Sequence, residues 1–201
     1  MTGACDSGRV PFACPPESAA WTHHGARRGF EVAYFHEQPG GWRITGCTTA
    51  CDSDRPWFVT YAICLDAEWA TQSARVTAVL AAGPSTILVE SDGRGAWRVD
   101  GDVAAHLDGC LDVDLESSAM TNAFPVHRLA LSAGSVAAAP AVYIRSGLSV
   151  ERLEQHYARA DDDGPRQRYH YASPRFCFES ELVFDASGLV LVYPGIAARA
   201  C

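Results

Sequence analysis

The sequence contains no lysine, so all sixteen of its basic residues are arginines. This absence excludes three chemistries that need a lysine amine: the lysine of a phosphate-binding loop, a Schiff base to a carbonyl substrate, and the anchor of pyridoxal phosphate. No other motif in the chain indicates a cofactor. We therefore expect a protein that works with none.

Long apolar runs and clusters of positive charge are also missing. No run reaches the roughly 18 apolar residues of a membrane-spanning helix, which predicts that the chain is not an integral membrane protein. The first residues lack the basic start and apolar core of an export signal, which predicts a cytoplasmic location. A formal net charge of −8 without a stripe of basic residues argues against nucleic acid as a partner.

Eight cysteines are present, and thiols in the cytoplasm are mostly reduced. Four of them, Cys5, Cys14, Cys47 and Cys51, lie outside the strongest predicted strands. Their spacings match no common zinc site, so free thiols are favoured over a disulfide, and a disulfide over zinc. The sequence predicts no metal site.

A length of 201 residues predicts one domain. Residues 1–20 are rich in Gly, Pro, Ser and Cys and show little periodicity, which indicates a loosely ordered N-terminal extension. The globular domain is predicted to cover residues 21–201. From Trp21 onward the apolar residues recur mainly with the period of two that is typical of half-buried strands.

This periodicity predicts an antiparallel, strand-rich fold. The predicted strands outside the centre of the chain are Gly29–Glu37, Trp42–Gly46, Trp57–Asp66, Trp69–Leu80, Thr86–Glu90, Ala96–Val99, Ala141–Arg145, Arg168–Tyr171, Phe176–Asp185 and Leu189–Tyr193. One main helix is predicted near residues 149–160, with Ser149 as its cap and Val150, Leu153 and Tyr157 on its apolar face. The fold class is all-β to α+β: a large curved antiparallel sheet, closed into a half barrel or an incomplete barrel.

The central residues 107–131 carry an unusual acidic pattern. Residues 111–116 alternate strictly, with apolar side chains on one strand face and carboxylates on the other: Leu111, Val113 and Leu115 against Asp112, Asp114 and Glu116. A second strand is predicted to follow from Phe124, because Pro125 favours an extended residue before it. Arg128 lies in the otherwise apolar row of that strand. Either this row is solvated, or Arg128 is buried and pairs with Asp112 or Asp114.

Several motifs along the chain resemble a bacterial family of glycolipid-binding proteins. They occur in the family's order between residues 21 and 195, and they include Gly29-Phe30-Glu31, Trp42 with Gly46, Tyr61 to Trp69, Asp92 to Trp97, Leu107 to Leu115, Thr121-Asn122, Arg128-Leu129, Tyr169-His170-Tyr171 and Tyr193-Pro194-Gly195. The chain departs from the pattern at Ser118-Ala119-Met120, where Thr-Pro-Phe is typical, and in its cysteine-bearing N-terminal extension.

The resemblance implies a half barrel around a hydrophobic cavity, similar in shape to bacterial lipoprotein carriers that hold acyl chains. It therefore implies non-catalytic binding of a lipid, a glycolipid or another amphipathic small molecule. Aromatic residues would contact the chains and polar residues the head group, although an ordinary core position is favoured for each aromatic residue taken singly. The predicted ligand-binding residues are Tyr61, Trp69, Trp97, Asp112, Asp114, Thr121, Asn122, His127, Arg128, Phe176, Phe178 and Tyr193.

Two other functions stay open at this point. A hydrolase or isomerase acting on a lipid or small carbohydrate would use Asp112 or Asp114 with His127 as its acid and base. No G-x-S-x-G, H-E-x-x-H or glycine-rich phosphate loop supports it, and the apolar neighbours of His127 favour a packed core histidine. A structural or regulatory module is the third option, for which the sequence offers neither a peptide groove nor a recognisable protein partner.

Overall fold

One antiparallel sheet of fourteen strands dominates the computed structural model, which describes residues 12–25, 27–52, 54–162 and 164–201. The strands of the described chain are Ser18–His23 (β1), Arg28–Gln38 (β2), Gly41–Asp52 (β3), Arg55–Asp66 (β4), Thr71–Leu80 (β5), Gly83–Ser91 (β6), Trp97–Val99 (β7), Asp102–Val103 (β8), Asp112–Leu115 (β9), Val136–Ala138 (β10), Ala141–Ile144 (β11), Val150–Leu153 (β12), His156–Arg159 (β13), Gln167–Ser173 (β14), Phe178–Phe184 (β15), Val190–Tyr193 (β16) and Ala197–Arg199 (β17). Every strand that the alternation predicted before residue 116 or after residue 140 overlaps an observed one.

The large sheet runs in the order β10-β13-β14-β15-β16-β17-β1-β2-β3-β4-β5-β6-β7-β8. The first and last strands of the described chain, β1 and β17, pair with each other and so join its two halves. The edges β10 and β8 do not meet, so the sheet is open. The predicted fold class, a large curved antiparallel sheet that does not close fully, is confirmed.

A small sheet of three strands, β12-β11-β9, contributes to the interior. Its central strand β11 pairs antiparallel with β12 and parallel with β9, so that Tyr143 lies opposite Asp114. All four residues of β11 are buried. Burial of both faces is typical of strands that have a parallel neighbour.

The segment after β9 is helical, and the strand predicted from Phe124 is wrong. A 3₁₀ turn over Met120–Asn122 leads directly into the α-helix Ala123–Leu129 (α1). Pro125 is compatible with this, because amides in the first helical turn need no intrahelical acceptor. Residues 120–127 are all buried, so the helix has no exposed polar face in this segment. The sequence therefore lacks the helical spacing of polar and apolar residues from which a helix is predicted.

The helix predicted at residues 149–160 is also wrong, because the segment forms β12 and β13. Val150, Leu153 and Tyr157 fit a helical stripe, but burial in fact alternates through Leu153, Gln155, Tyr157 and Arg159. Two of these four buried residues are polar, so the period of two was hidden in the sequence. Pairing with β11 and β14 fixes the extended conformation.

Two clusters of buried side chains form the core, and α1 lies between them. The larger cluster joins the inner face of β1–β7 to the small sheet and to Phe124 of the helix. The second joins strands β13–β16 to Val126 of the same helix. Both helical residues are fully buried. The helix and the small sheet together therefore fill most of the space inside the curved sheet.

A buried carboxylate, Glu31 of β2, connects several of these elements. Its Oε2 lies 3.2 Å from Nε2 of His23 and accepts a hydrogen bond from the amide of Ala119 at 2.8 Å. Its Oε1 accepts hydrogen bonds from the hydroxyl of Tyr61, at 2.9 Å, and from the hydroxyl of Ser118. The four side chains Glu31, His23, Tyr61 and Ser118, here called the Glu31 cluster, join β1, β2 and β4 to the turn that precedes α1.

Gly46 of β3 makes room for this cluster. It pairs with Tyr61 across the β3–β4 ladder, and a Cβ at this position would lie 2.3 Å from the Tyr61 hydroxyl oxygen. The phenol ring can therefore lie directly over the backbone of β3 only because residue 46 has no side chain. Glu31, Gly46 and Tyr61 all belong to the motifs noted in the sequence, and their contacts give a physical reason for that combination.

Replacing Glu31 with Gln is expected to lower the free energy of unfolding by about 2–4 kcal/mol. The side-chain NH2 group of Gln would take the place of a carboxylate oxygen and face groups that donate hydrogen bonds, such as the Ala119 backbone amide. Urea denaturation monitored by tryptophan fluorescence would measure this loss. Glu37→Gln is the matched control: Glu37 lies on the same strand but is exposed, so the change should stay within about 0.5 kcal/mol. Equal effects of the two substitutions would contradict a structural role for the cluster.

Candidate functional site

A cavity of about 300 Å³ remains between the small sheet, the turn before α1 and strands β14–β16. We call it the tyrosine cavity. Its principal lining residues are Arg27, Asp114, Glu116, Ser118, Asn122, Tyr143, Tyr171, Phe176, Phe178 and Tyr193. The curvature of the large sheet brings β14–β16 opposite β9 and β11, so residues from the centre and the end of the chain share one wall.

Five aromatic rings line the cavity. The ring centroids of Tyr171, Phe178 and Tyr193 lie 6.0–6.2 Å from one another. Tyr143 and Phe176 form a second pair at 5.7 Å. Burial raises the pKa of Tyr143, Tyr171 and Tyr193 above the usual value, so their hydroxyls stay protonated. The cavity therefore combines apolar ring faces with neutral hydroxyl groups.

Asp114 places a carboxylate in this aromatic wall. Burial raises its pKa to about 6, against the effect of a hydrogen bond from the Thr121 hydroxyl, and the charges of Asp112 and Glu116 raise it further. The Thr121 hydroxyl donates to Oδ1 of Asp114 at 3.0 Å. No arginine or histidine in the described part of the chain forms a salt bridge with Asp114. A carboxyl group with a raised pKa in a cleft is a common property of functional sites.

The cavity mouth carries an ion pair. The Arg27 guanidinium donates to the backbone carbonyl oxygen of Glu116 at 2.5 Å and lies 4.0 Å from its carboxylate. Oε2 of Glu116 also accepts hydrogen bonds from the amide and hydroxyl of Ser146, at 2.8 and 3.0 Å. The side chains of Arg27 and Glu116 are only about one-fifth exposed, 18% and 22%. These contacts hold the side chains of Arg27 and Glu116 in place at the cavity mouth.

The tyrosine cavity brings together five of the predicted ligand-binding residues: Asp114, Asn122, Phe176, Phe178 and Tyr193. A sixth, Thr121, is buried behind Asp114 and is hydrogen-bonded to it. Asn122 is held in place on both sides of its amide. Its Oδ1 accepts a hydrogen bond from the Tyr157 hydroxyl at 2.9 Å, and its Nδ2 donates to the Ala119 carbonyl at 3.3 Å.

Asp112 and Arg128 form a buried pair outside the cavity wall. Nε and Nη2 of Arg128 donate to the two carboxylate oxygens of Asp112 at 2.9 and 2.5 Å. The predicted pairing of Arg128 with a nearby carboxylate is confirmed, although Arg128 lies on α1 rather than on a strand. Asp112 is fully buried, so the alternative of a solvated acidic edge is wrong at this residue. The pair connects β9 to the helix.

The other four predicted residues, Tyr61, Trp69, Trp97 and His127, lie elsewhere. Tyr61 belongs to the Glu31 cluster, and the buried Trp97 donates to the carbonyl of Cys110 at 2.9 Å. Trp69 and His127 stack on each other with ring centroids 3.5 Å apart, at the side of a separate surface depression. None of the four lines the tyrosine cavity.

The position of His127 does not favour an acid–base pair with Asp112 or Asp114. Its Nε2 lies 2.9 Å from the carbonyl oxygen of Ser187. Burial lowers its pKa to about 4, and the nearby charge that opposes this effect belongs to Asp185. His127 is a packed, neutral histidine that stacks on Trp69 and contacts the backbone of Ser187.

Five of the ten principal cavity residues were not predicted to bind a ligand: Arg27, Glu116, Ser118, Tyr143 and Tyr171. Tyr171 stands in the motif Tyr169-His170-Tyr171, and the alternation of β14 places both of its tyrosines on the inner face. Tyr143 could have been found only from the pairing of β11 with β9, which puts it opposite Asp114. The sequence contains no signal for Arg27.

Within the described residues, no group of three or more His, Cys, Asp or Glu side chains is arranged to hold a metal ion. Cys5, one of the four cysteines considered for zinc, lies outside those residues. No helix within the described ranges is long and apolar enough to cross a membrane.

An open, curved antiparallel sheet with an aromatic cavity on its inner side defines a β half-barrel protein. The chain belongs to the family described as "Putative glycolipid-binding", whose model matches residues 18–199. A crystal structure of a DUF1089 family protein from Pseudomonas aeruginosa is similar over 99% of this chain and 98% of that one, with a TM-score of 0.74 and 27% sequence identity. No curated protein matches the chain.

Asp114 is expected to make stability depend on pH in a defined direction. Its folded pKa of about 6 lies above its usual value of about 3.9. The folded state therefore holds this proton more tightly, and the contribution of Asp114 to stability is fully present below about pH 4 and is lost as the pH rises through 6. Asp114→Asn should raise the free energy of unfolding by about 1–2 kcal/mol at pH 7.5, with the gain vanishing near pH 4.

Urea denaturation of wild type and variant at several pH values would measure this difference. Asp112→Asn is the matched control on the same strand, and it should have the opposite sign at pH 7.5. The Asp112 carboxylate accepts two hydrogen bonds from the largely buried Arg128 guanidinium, so replacing it with a neutral amide should cost about 3 kcal/mol. A neutral or destabilising effect of Asp114→Asn at pH 7.5 would contradict the raised pKa of Asp114 in the folded state.

Proposed function

We propose that the protein binds an amphipathic lipid or glycolipid and that the tyrosine cavity holds the head group. The observation that carries the proposal is the cavity itself, which is lined by five aromatic rings together with Asp114. Aromatic walls with a few well-placed polar groups are typical of sites for small organic ligands. Membership of the glycolipid-binding family supports the same class of ligand.

The size of the cavity favours a head group over acyl chains. Its volume of about 300 Å³ lies at the lower end of the range for small-molecule sites. One sugar ring fits such a space, whereas a lipid with two long chains does not. In this proposal the chains lie outside the tyrosine cavity.

The polar groups of the cavity favour a neutral head group with several hydroxyls. Asp114 and Glu116 contribute two carboxylates, and the nearest guanidinium, that of Arg27, is already bonded to Glu116. An anionic phosphate would meet net negative charge at this wall. The tyrosine hydroxyls and Asp114 can instead donate to and accept from sugar hydroxyls, while the ring faces cover the apolar side of the sugar.

A cytoplasmic location is part of the proposal. The seven described cysteines are all free thiols, which is the usual state of thiols in that compartment.

Isothermal titration with n-octyl β-D-glucoside below its micelle concentration tests the proposal. Wild-type protein should bind it, and Tyr193→Ala should weaken binding by about tenfold or more, because one cavity ring is lost. Tyr34→Ala is the matched control: Tyr34 is 51% exposed and does not line the cavity, so affinity should not change.

Thermal unfolding of both variants shows whether each is folded at the temperature of the titration. Native mass spectrometry of freshly purified protein gives a second reading, since a lipid-binding protein should carry a co-purified lipid. Absence of binding to the glucoside together with absence of any co-purified lipid would refute the proposed function.

A further inference from the structure

A second and larger depression lies at one end of strands β2–β5. Its volume is about 1070 Å³, and its apolar lining includes Phe30, Ala50, Trp57, Phe58, Val79 and Leu80. We call it the rim groove, because it is formed where these strands end. Phe30, Thr49, Phe58 and Val79 are neighbours in a lateral row across the four strands, and Gly29, Ala50 and Trp57 form the next row.

Large apolar side chains in the rim groove are exposed to an unusual degree. Phe30, Phe58 and Leu80 are 43%, 40% and 38% exposed, and they are three of the eight large hydrophobic residues exposed in the described chain. Single exposed apolar residues are common, but several together mark a surface that binds something apolar. Phe30 and Phe58 lie on the outer face of the sheet, because their strand neighbours Glu31, Trp57 and Val59 are the buried ones. The core therefore does not need these two side chains.

The rim groove is adjacent to the mouth of the tyrosine cavity. The Arg27 guanidinium, at the cavity mouth, lies 5.7 Å from the ring centre of Trp57, which lines the groove. Glu116 lines the cavity, and its carboxylate accepts hydrogen bonds from Ser146, which lines the groove. The tyrosine cavity and the rim groove are therefore neighbours. The contacts between them are those of Arg27 with Trp57 and of Glu116 with Ser146.

We propose that the rim groove binds the alkyl chain of the same amphiphile whose head group occupies the tyrosine cavity. This inference rests on the proposed function and adds the place of the chain. The tyrosine cavity is polar and too small for acyl chains, and the adjoining rim groove is apolar and more than three times as large. The two neighbouring sites therefore match the polar head group and the apolar chain of one amphipathic molecule. The ligand class is then a glycolipid whose chain leaves the head group past Arg27 and Trp57.

The test is a chain-length series of n-alkyl β-D-glucosides, from hexyl to decyl, titrated below their micelle concentrations. For wild-type protein the affinity should rise by about fourfold for each added methylene, the factor expected when each methylene is removed from water. Phe58→Glu should bring this factor close to one, so that its affinity falls further below that of wild type with each added methylene. Its side chain is exposed, so the substitution leaves the core intact.

Tyr34→Glu is the matched control, because Tyr34 is an exposed aromatic residue on the outside of β2 but does not line the groove. It should keep the wild-type chain-length dependence. Circular dichroism and thermal unfolding confirm that both variants are folded.

Three results would overturn the inference in distinguishable ways. Binding of all glucosides with no gain per methylene leaves the head-group site intact and removes the groove from the ligand. A chain-length dependence that persists in Phe58→Glu places the chain elsewhere. If sedimentation velocity shows that wild type is a dimer and Phe58→Glu a monomer with unchanged dependence, the groove binds a second copy. Absence of binding to any glucoside counts against the proposed function itself.

Discussion

The buried carboxylate of Glu31 is the interaction on which the arrangement of this structure depends most. A fully buried carboxyl group is tolerated only if hydrogen-bond partners surround it, and here they come from β1, from β4 and from the turn before α1. The same turn carries Ser118, Thr121 and Asn122, which form or support one wall of the tyrosine cavity. The hydrogen bonds to Glu31 of β2 thus hold the turn from which the helix begins, and that turn positions the wall.

The sheet could be predicted from the sequence because its strands have one buried and one less buried face, so that apolar residues alternate. The same rule failed where burial had another pattern. Residues 120–127 are buried on every side, and a helix there leaves no periodic trace. In β12 and β13 the buried set includes Gln155 and Arg159, which the sequence presents as polar. The pairing of Arg128 with Asp112 or Asp114 was one of two alternatives that the sequence left open, and it holds for Asp112 because a buried guanidinium needs a carboxylate whichever backbone carries it.

The candidate site was predicted only in part, and the reason lies in pairing over long sequence distances. Asp114, Phe178 and Tyr193 were recognised by residue type, but core aromatics such as Trp97 have the same alternation and could not be separated from them. Tyr143 faces Asp114 because β11 runs parallel to β9, a register that no local pattern encodes. Arg27 lies in the cavity mouth through a bond to the backbone of Glu116, 89 residues away.

Asp112 and Asp114 lie two residues apart on one strand face and show what distinguishes a structural carboxylate from a candidate functional one. Burial raises the pKa of Asp112 as well, but two hydrogen bonds from Arg128 and the charge of its guanidinium oppose this effect. Asp114 receives a hydroxyl hydrogen bond and no countercharge within the described residues, so its pKa rises to about 6. Asp114 thus lowers the stability of the fold, and it lies beside the open space of the tyrosine cavity. Selection for stability alone would not favour a carboxylate at this position. Such departures are expected at sites whose side chains serve a ligand rather than the core.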